Sequence, residues 1–131
     1  MRFVITLDTA LRLTRDRALP AAQHSLLAPT LLRSQILSAL YAAVRAQAMD
    51  RTEAQAQLAP FRALNLRLLG DRVLQKTAWD IAAQLGWDDP AEAEYLALTR
   101  LQADALVSLD PGLAARIGAA VLLADYDALL D

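Results

Sequence analysis

Apolar residues along this chain follow two rhythms that alternate. Short apolar runs, too brief for helices, fall at residues 3–7, 25–28 and 105–109, and a weaker one falls at 119–123. The first carries the β-branched residues Val4, Ile5 and Thr6, which suits a strand covered on both faces. Residues 64–69 instead alternate Leu64, Leu66 and Leu68 with Asn65 and Arg67, the pattern of a half-buried strand. Between these runs apolar positions recur at helical spacing. Ala10, Leu11 and Leu13 mark a first helix after Asp8. Leu31, Leu32, Ile36, Leu37, Leu40, Tyr41 and Val44 mark a second, with Pro29 in its first turn. Thr52 and Gln55 resemble a capping box opening a third helix towards residue 63, which Pro60 should kink or shorten. A fourth helix follows Asp71, with Val73, Leu74, Ala78, Ile81, Ala82 and Leu85 on its apolar face and Gly86 at its end. A fifth spans about 91–102, with Tyr95, Leu96, Leu98 and Leu101 inward, and a brief one begins at Pro111. Strands alternating with helices predict an α/β fold in three layers, with a mostly parallel sheet of four to five strands.

Composition narrows the picture. At 131 residues the chain is expected to be one domain, residues 1–131, able to bury its own core. It has no cysteine, which removes disulfides, thiolate nucleophiles and thiolate metal sites, and fits a reducing compartment. No signal-peptide core or membrane-length run is visible, so a soluble cytoplasmic protein is expected. The net charge of -2 does not mark a polyanion binder. The apolar content of 56 %, carried mainly by Ala and Leu, exceeds the usual share for such a domain and predicts a covered helix face, with self-association through helices at 29–47 and 52–63.

Candidate chemistry is confined to carboxylates. Asp8 follows the first strand, Asp110 follows the fourth, and Glu92 stands in the first turn of a helix. In a parallel sheet the first two meet at the carboxyl edge, where ligands bind. Clustered acids suit a hard, oxygen-ligated cation. Each has an equally good structural role, since Asp8 and Asp110 fit helix caps and Asp89, Pro90 and Glu92 fit a cap, first position and capping acid. Only four glycines are present, none in a phosphate-binding loop, and no GxSxG turn accompanies the single histidine, His24, which is expected to be a solvated loop residue.

VITLD at 4–8, LLAPTLLRSQILSAL at 26–40, EAEYLAL at 92–98 and ALVSLD at 105–110 together resemble a PIN domain of the VapC-like toxin group, over nearly the whole length. The resemblance implies a Mg²⁺- or Mn²⁺-dependent endoribonuclease acting on RNA phosphodiesters, neutralised by a cognate antitoxin and commonly homodimeric. Position by position, the family's acids fall on Asp8, Gln35, Glu92 and Asp110, with Ser108 as the hydroxyl residue beside the last. The catalytic and metal-binding set it implies is thus Asp8, Glu92 and Asp110. Gln35 stands where the family has Glu, Glu92 where it has Asp, and Ala10 where a hydroxyl residue is usual. Three acids and an amide should hold a cation more weakly than four acids. Asp88, Asp89 and Glu94 are candidates to compensate, although Glu94, two residues from Glu92 on one helix, should face elsewhere. Arg12, Arg15 and Arg33, which flank the acidic junctions, are candidates for phosphate contact. The alternative is a degenerate PIN domain that binds RNA or a protein with little or no cleavage.

Overall fold

A computed structural model describes residues 1–131. In chain order the elements are β1 (Arg2–Ile5), α1 (Leu7–Asp16), β2 (Ser25–Pro29), α2 (Leu31–Arg45), α3 (Arg51–Arg62), β3 (Leu66–Leu69), α4 (Arg72–Leu85), α5 (Ala91–Gln102), β4 (Ala105–Val107), α6 (Leu113–Ile117) and β5 (Leu123–Ala124), closed by a 3₁₀ turn at Tyr126–Leu129. The five strands form one parallel sheet in the order β3-β2-β1-β4-β5. No helix is long and apolar enough to cross a membrane.

The strand order fixes where a ligand can enter. From β1 the chain steps outward to β2 and β3, and from β4 it steps the other way to β5. Crossovers between parallel strands are right-handed, so the helices after β1 and β2 cover one face and those after β3 and β4 cover the other. Consistent with this, α1, α2 and α3 pack on one another, while α5 packs on α4 and lies against β1, β2 and β4. The chain therefore leaves neighbouring β1 and β4 towards opposite faces, and a crevice opens between them at the carboxyl edge.

The core explains the sequence pattern. Phe3, Val4 and Ile5 in β1, Leu26, Leu27 and Ala28 in β2, and Ala105, Leu106 and Val107 in β4 are all buried, as strands covered on both faces require. Strand β3, paired only with β2, is half-buried and exposes Arg67. Helix α5 is wedged between α4 and the sheet, so residues 95–99 are buried without interruption rather than along one stripe. In α4 Leu74, Ala78, Ile81 and Ala82 are inward, and Gly86 ends the helix with φ 72°, a conformation glycine adopts without strain.

Several boundaries differ from the sequence reading. Strand β1 ends at Ile5, so Leu7 and Asp8 belong to α1. Pro29 closes β2 instead of opening α2, its missing N–H being harmless at a strand's end. The cap of α3 is Asp50, whose carboxylate accepts the Glu53 N–H at 2.8 Å, and not Thr52 with Gln55; of two overlapping boxes the stronger cap residue prevails. Pro60 does not stop α3, which continues to Arg62. Helix α6 starts at Leu113 rather than Pro111. The last strand is Leu123–Ala124, because the turn at Gly118, with φ 56°, consumes the residues expected to pair. Val73, Leu101, Leu37 and Tyr41, expected inward, are exposed, the last two by 62 % and 67 %. His24 is half-buried, stacked edge-on against Phe3 at 5.0 Å, and not a solvated loop residue.

Because β4 is the strand whose end carries the crevice, its packing is the sensitive point. Leu106→Ala, at a position with no exposure, is expected to cost about 2–5 kcal/mol, and Leu37→Ala within about 0.5 kcal/mol. Urea unfolding midpoints compare the two. Equal losses would contradict the assignment of Leu37 to the surface.

Candidate functional site

The crevice is a cleft of about 760 Å³, and Asp8, Gln35, Glu92, Ser108 and Asp110 all line it. Residues as far apart in sequence as Asp8 and Asp110 thus meet at one place. Asp8 arrives from the second position of α1. The helix cap is Thr6, and Asp8 is not a cap. Its Oδ1 accepts the N–H of Thr9 at 2.7 Å, the N–H of Leu109 at 3.3 Å and the Thr6 hydroxyl, while Oδ2 has no protein donor. The Thr9 hydroxyl donates to the Val107 carbonyl at 2.9 Å, and the Thr6 N–H reaches the same carbonyl at 3.2 Å. Those bonds tie the start of α1 to the end of β4, which is why the Asp8 carboxylate of α1 and the loop after β4 share a site.

Asp110 and Glu92 face a residue the sequence did not single out. Arg116, on α6, donates from Nη1 to Glu92 Oε2 at 3.1 Å and from Nη2 to Glu92 Oε1 at 2.9 Å. The same Nη2 reaches Asp110 Oδ2 at 2.8 Å. The remaining Asp110 oxygen accepts the Gly112 N–H at 2.9 Å, and the Asp110 N–H donates to Ser108 Oγ at 3.1 Å. The guanidinium lies 5.6 Å from the centre of the Trp87 ring, within cation-π range. The available signal was modest: Leu113 and Ile117 are the inward residues of α6, which leaves Arg116 on the outward side, six positions after Asp110.

Gln35, on α2, is held from the other side. The Tyr95 hydroxyl donates to its Oε1. Tyr95 and Glu92 are three apart on α5 and so share a face, whereas Glu94 does not line the cleft, as its spacing from Glu92 predicted. Asp88 and Asp89 do line it, and Asp89 Oδ1 also accepts the Ala91 N–H at 2.8 Å at the start of α5, where Pro90 is the cap.

None of the three arginines expected at phosphate lines the cleft. Arg12 spans to Asp16 at 3.6 Å and stacks 3.9 Å from the Tyr126 ring centre, Arg15 pairs with Asp16 at 3.4 Å, and Arg33 is an exposed residue of α2. Arg116 is the cation that lines the cleft with Asp8, Asp88, Asp89, Glu92 and Asp110, and it pairs with the last two.

Those charges shape the titration of the site. The Gly112 N–H, followed by the Arg116 guanidinium, holds the Asp110 carboxyl below its ordinary range. Glu92 and then Asp110 keep Arg116 firmly protonated. Burial and the neighbouring Asp89 raise Glu94. Burial, then the charges of Glu94 and Asp8, raises the Tyr95 phenol far above its usual value. In kind, the hard oxygen donors of Asp8, Glu92 and Asp110 fit a divalent ion such as Mg²⁺ or Mn²⁺. In arrangement, no three His, Cys, Asp or Glu side chains are grouped closely enough to share one. Both Glu92 oxygens and Asp110 Oδ2 are turned to Arg116 instead.

The raised Tyr95 phenol gives an alkaline signature. The unfolded chain ionises this tyrosine from about pH 10, while the folded chain keeps it neutral to higher pH. Stability fully present below that pH is therefore lost as pH rises from the unfolded towards the folded value. Tyr95→Phe is expected to flatten this part of the profile and, by removing the bond to Gln35, to cost about 0.5–1.5 kcal/mol at neutral pH. Denaturant unfolding across the alkaline range checks both, and an unchanged alkaline slope would contradict the burial of Tyr95 as its cause.

No protein-family model matches the sequence, and no curated protein sequence matches it. Solved structures do. The chain is similar to VapBC2 from Rickettsia felis, solved bound to a DNA fragment from their promoter, with a TM-score of 0.67 and 11 % identity over 95 % of this chain and 98 % of that one. It is also similar to PAE2754 from Pyrobaculum aerophilum, with a TM-score of 0.68 and 17 % identity over 98 % of this chain and 95 % of that one. The order of elements, the parallel sheet and these likenesses agree: the chain has the three-layer α/β fold of a VapC-like PIN domain.

Proposed function

We propose that this chain is a VapC-like toxin, a ribonuclease that hydrolyses RNA phosphodiesters with the aid of Mg²⁺ or Mn²⁺. The observation that carries the reading is the meeting of Asp8, Gln35, Glu92 and Asp110 in one cleft at the carboxyl edge. Asp8 and Asp110 would hold the ion, with Glu92 as a further donor. When bound, the ion would supply an activated water and neutralise charge on the phosphate. The chain's own contribution is orientation. Asp8 is fixed through Oδ1 by the Thr9 and Leu109 N–H groups, which leaves Oδ2 free for a ligand. Asp110 is fixed by Gly112 and, through its N–H, by Ser108. Tyr95 fixes Gln35 through Oε1, leaving its amide N–H₂ to donate. A cytoplasmic site of action, a cognate antitoxin and a homodimer belong to the same reading. The exposed Leu37 and Tyr41 of α2, with Trp79 of α4 exposed by 72 %, provide apolar surface that a protein partner would cover.

Gln35 favours a second reading, a PIN-like binding module with little or no cleavage. An amide in place of the expected carboxylate lowers the negative charge available to a cation. The two readings part on one experiment. With Mn²⁺ and total RNA, Gln35→Glu is expected to raise cleavage and tighten Mn²⁺ binding by about tenfold, about 1.4 kcal/mol, and Asp8→Asn to abolish both. If neither the native chain nor Gln35→Glu cleaves above the Asp8→Asn background, and calorimetry shows no Mn²⁺ binding, the nuclease reading falls.

A further inference from the structure

Arg116 is not among the residues that the nuclease reading uses, yet its guanidinium makes three hydrogen bonds in the cleft. Its fork takes both Glu92 oxygens and one Asp110 oxygen at 2.8–3.1 Å. These are two of the three carboxylates that a divalent ion would need. A cation and this guanidinium cannot both have them at full strength, because each satisfies the same lone pairs.

The pairing is also built to exchange. The Arg116 side chain is 41 % exposed, and Glu92 and Asp110 are similarly open to water. Water screens a pair at this exposure, so even this bidentate pair costs less to break than a buried one. Leu113 and Ile117 on either side of Arg116 are buried and anchor the backbone of α6, so exchange requires only the side chain to turn. Trp87 offers the freed guanidinium a face to rest on. A polyanion entering a cleft lined by five carboxylates and one guanidinium needs positive charge there. A planar fork is suited to a phosphate's paired oxygens.

We propose that Arg116 exchanges partners: it is the counter-ion of Glu92 and Asp110 in the free protein, and it becomes the phosphate-binding residue of the RNA site once a divalent cation takes those carboxylates. This rests on the reading of the cleft as a cation-assisted phosphodiester site. It predicts effects of opposite sign from one substitution. Arg116→Gln is expected to tighten Mn²⁺ binding, measured by calorimetry on the full chain without RNA, by about fivefold. The same variant is expected to weaken binding of a phosphorothioate oligoribonucleotide in saturating Mn²⁺ by about tenfold, with its integrity checked on a gel. A residue that merely braces α6 would move both affinities downwards together with the melting temperature. Arg116→Lys keeps the charge and loses the fork, so it should show the same two signs at smaller size, and it decides the matter if Arg116→Gln does not fold. Mn²⁺ binding that is unchanged or weaker in the variants, or oligonucleotide binding that is unchanged, overturns the proposal and leaves the cation site standing. Absence of Mn²⁺ binding in the native chain and in both variants overturns the proposal and the cation-assisted reading together.

Discussion

The Val107 carbonyl is the point on which the rest of the site depends. It sits at the end of β4 and accepts both the Thr6 N–H and the Thr9 hydroxyl, from either side of the β1–α1 turn. Asp8 returns the tie by accepting the Leu109 N–H just beyond β4. A parallel sheet whose chain reverses direction between two adjacent strands necessarily leaves a crevice there. Here the crevice is cross-linked at its floor, so the carboxylates that meet above it are held by backbone donors. Such preorganisation is what a ligand site on a rigid scaffold requires. The apolar core beneath, from Phe3 to Ile5 and from Ala105 to Val107, supplies the rigidity.

Above that floor the problem is electrostatic. Five carboxylates line one cleft, and like charges at short range need a cation or a donor. The chain solves this locally. Backbone N–H groups take Asp8 Oδ1, Asp110 Oδ1 and Asp89 Oδ1, and Arg116 takes the rest of Asp110 and all of Glu92. At position 35 an amide replaces the acid that the family resemblance expects, which removes one charge, and Tyr95 pins it. In the free protein the cleft's acids are thus partly neutralised by the chain's own donors, and on the proposed reading a divalent ion would enter by competition with Arg116. That arrangement bears on both proposed readings: Asp8, Glu92 and Asp110 line one cleft but are not grouped closely enough to share an ion while Arg116 holds two of them, and Gln35 carries no charge.

What could be read from the sequence follows from which forces are local. Strands β1, β2 and β4 were visible because a strand buried on both faces must be apolar at every position, and α4 because its inward residues recur at helical spacing. The convergence of Asp8 and Asp110 followed from parallel topology alone. Ends were less legible, since they depend on competing caps and turns: Asp50 displaced Thr52, Pro29 joined β2, and Gly118 shortened the last strand. Exposure of Leu37 and Tyr41 was hidden because an apolar residue at helical spacing looks the same whether it meets a core or a partner. Arg116 escaped because its partners, Glu92 and Asp110, belong to other elements, and guanidinium pairs across elements leave no spacing signature. For the same reason Arg12, Arg15 and Arg33 looked better placed than they are.

The central claim is that Asp8 and Asp110 form a cation site from which Arg116 must withdraw. A crystal structure of the native chain grown with Mn²⁺, with anomalous scattering recorded to locate the ion, tests it most directly. The account predicts an anomalous peak bonded to Asp8 and Asp110, with the Arg116 guanidinium turned away from Glu92 and Asp110. No peak in the cleft at saturating Mn²⁺, or a bound ion with Arg116 still bridging both carboxylates, would contradict it.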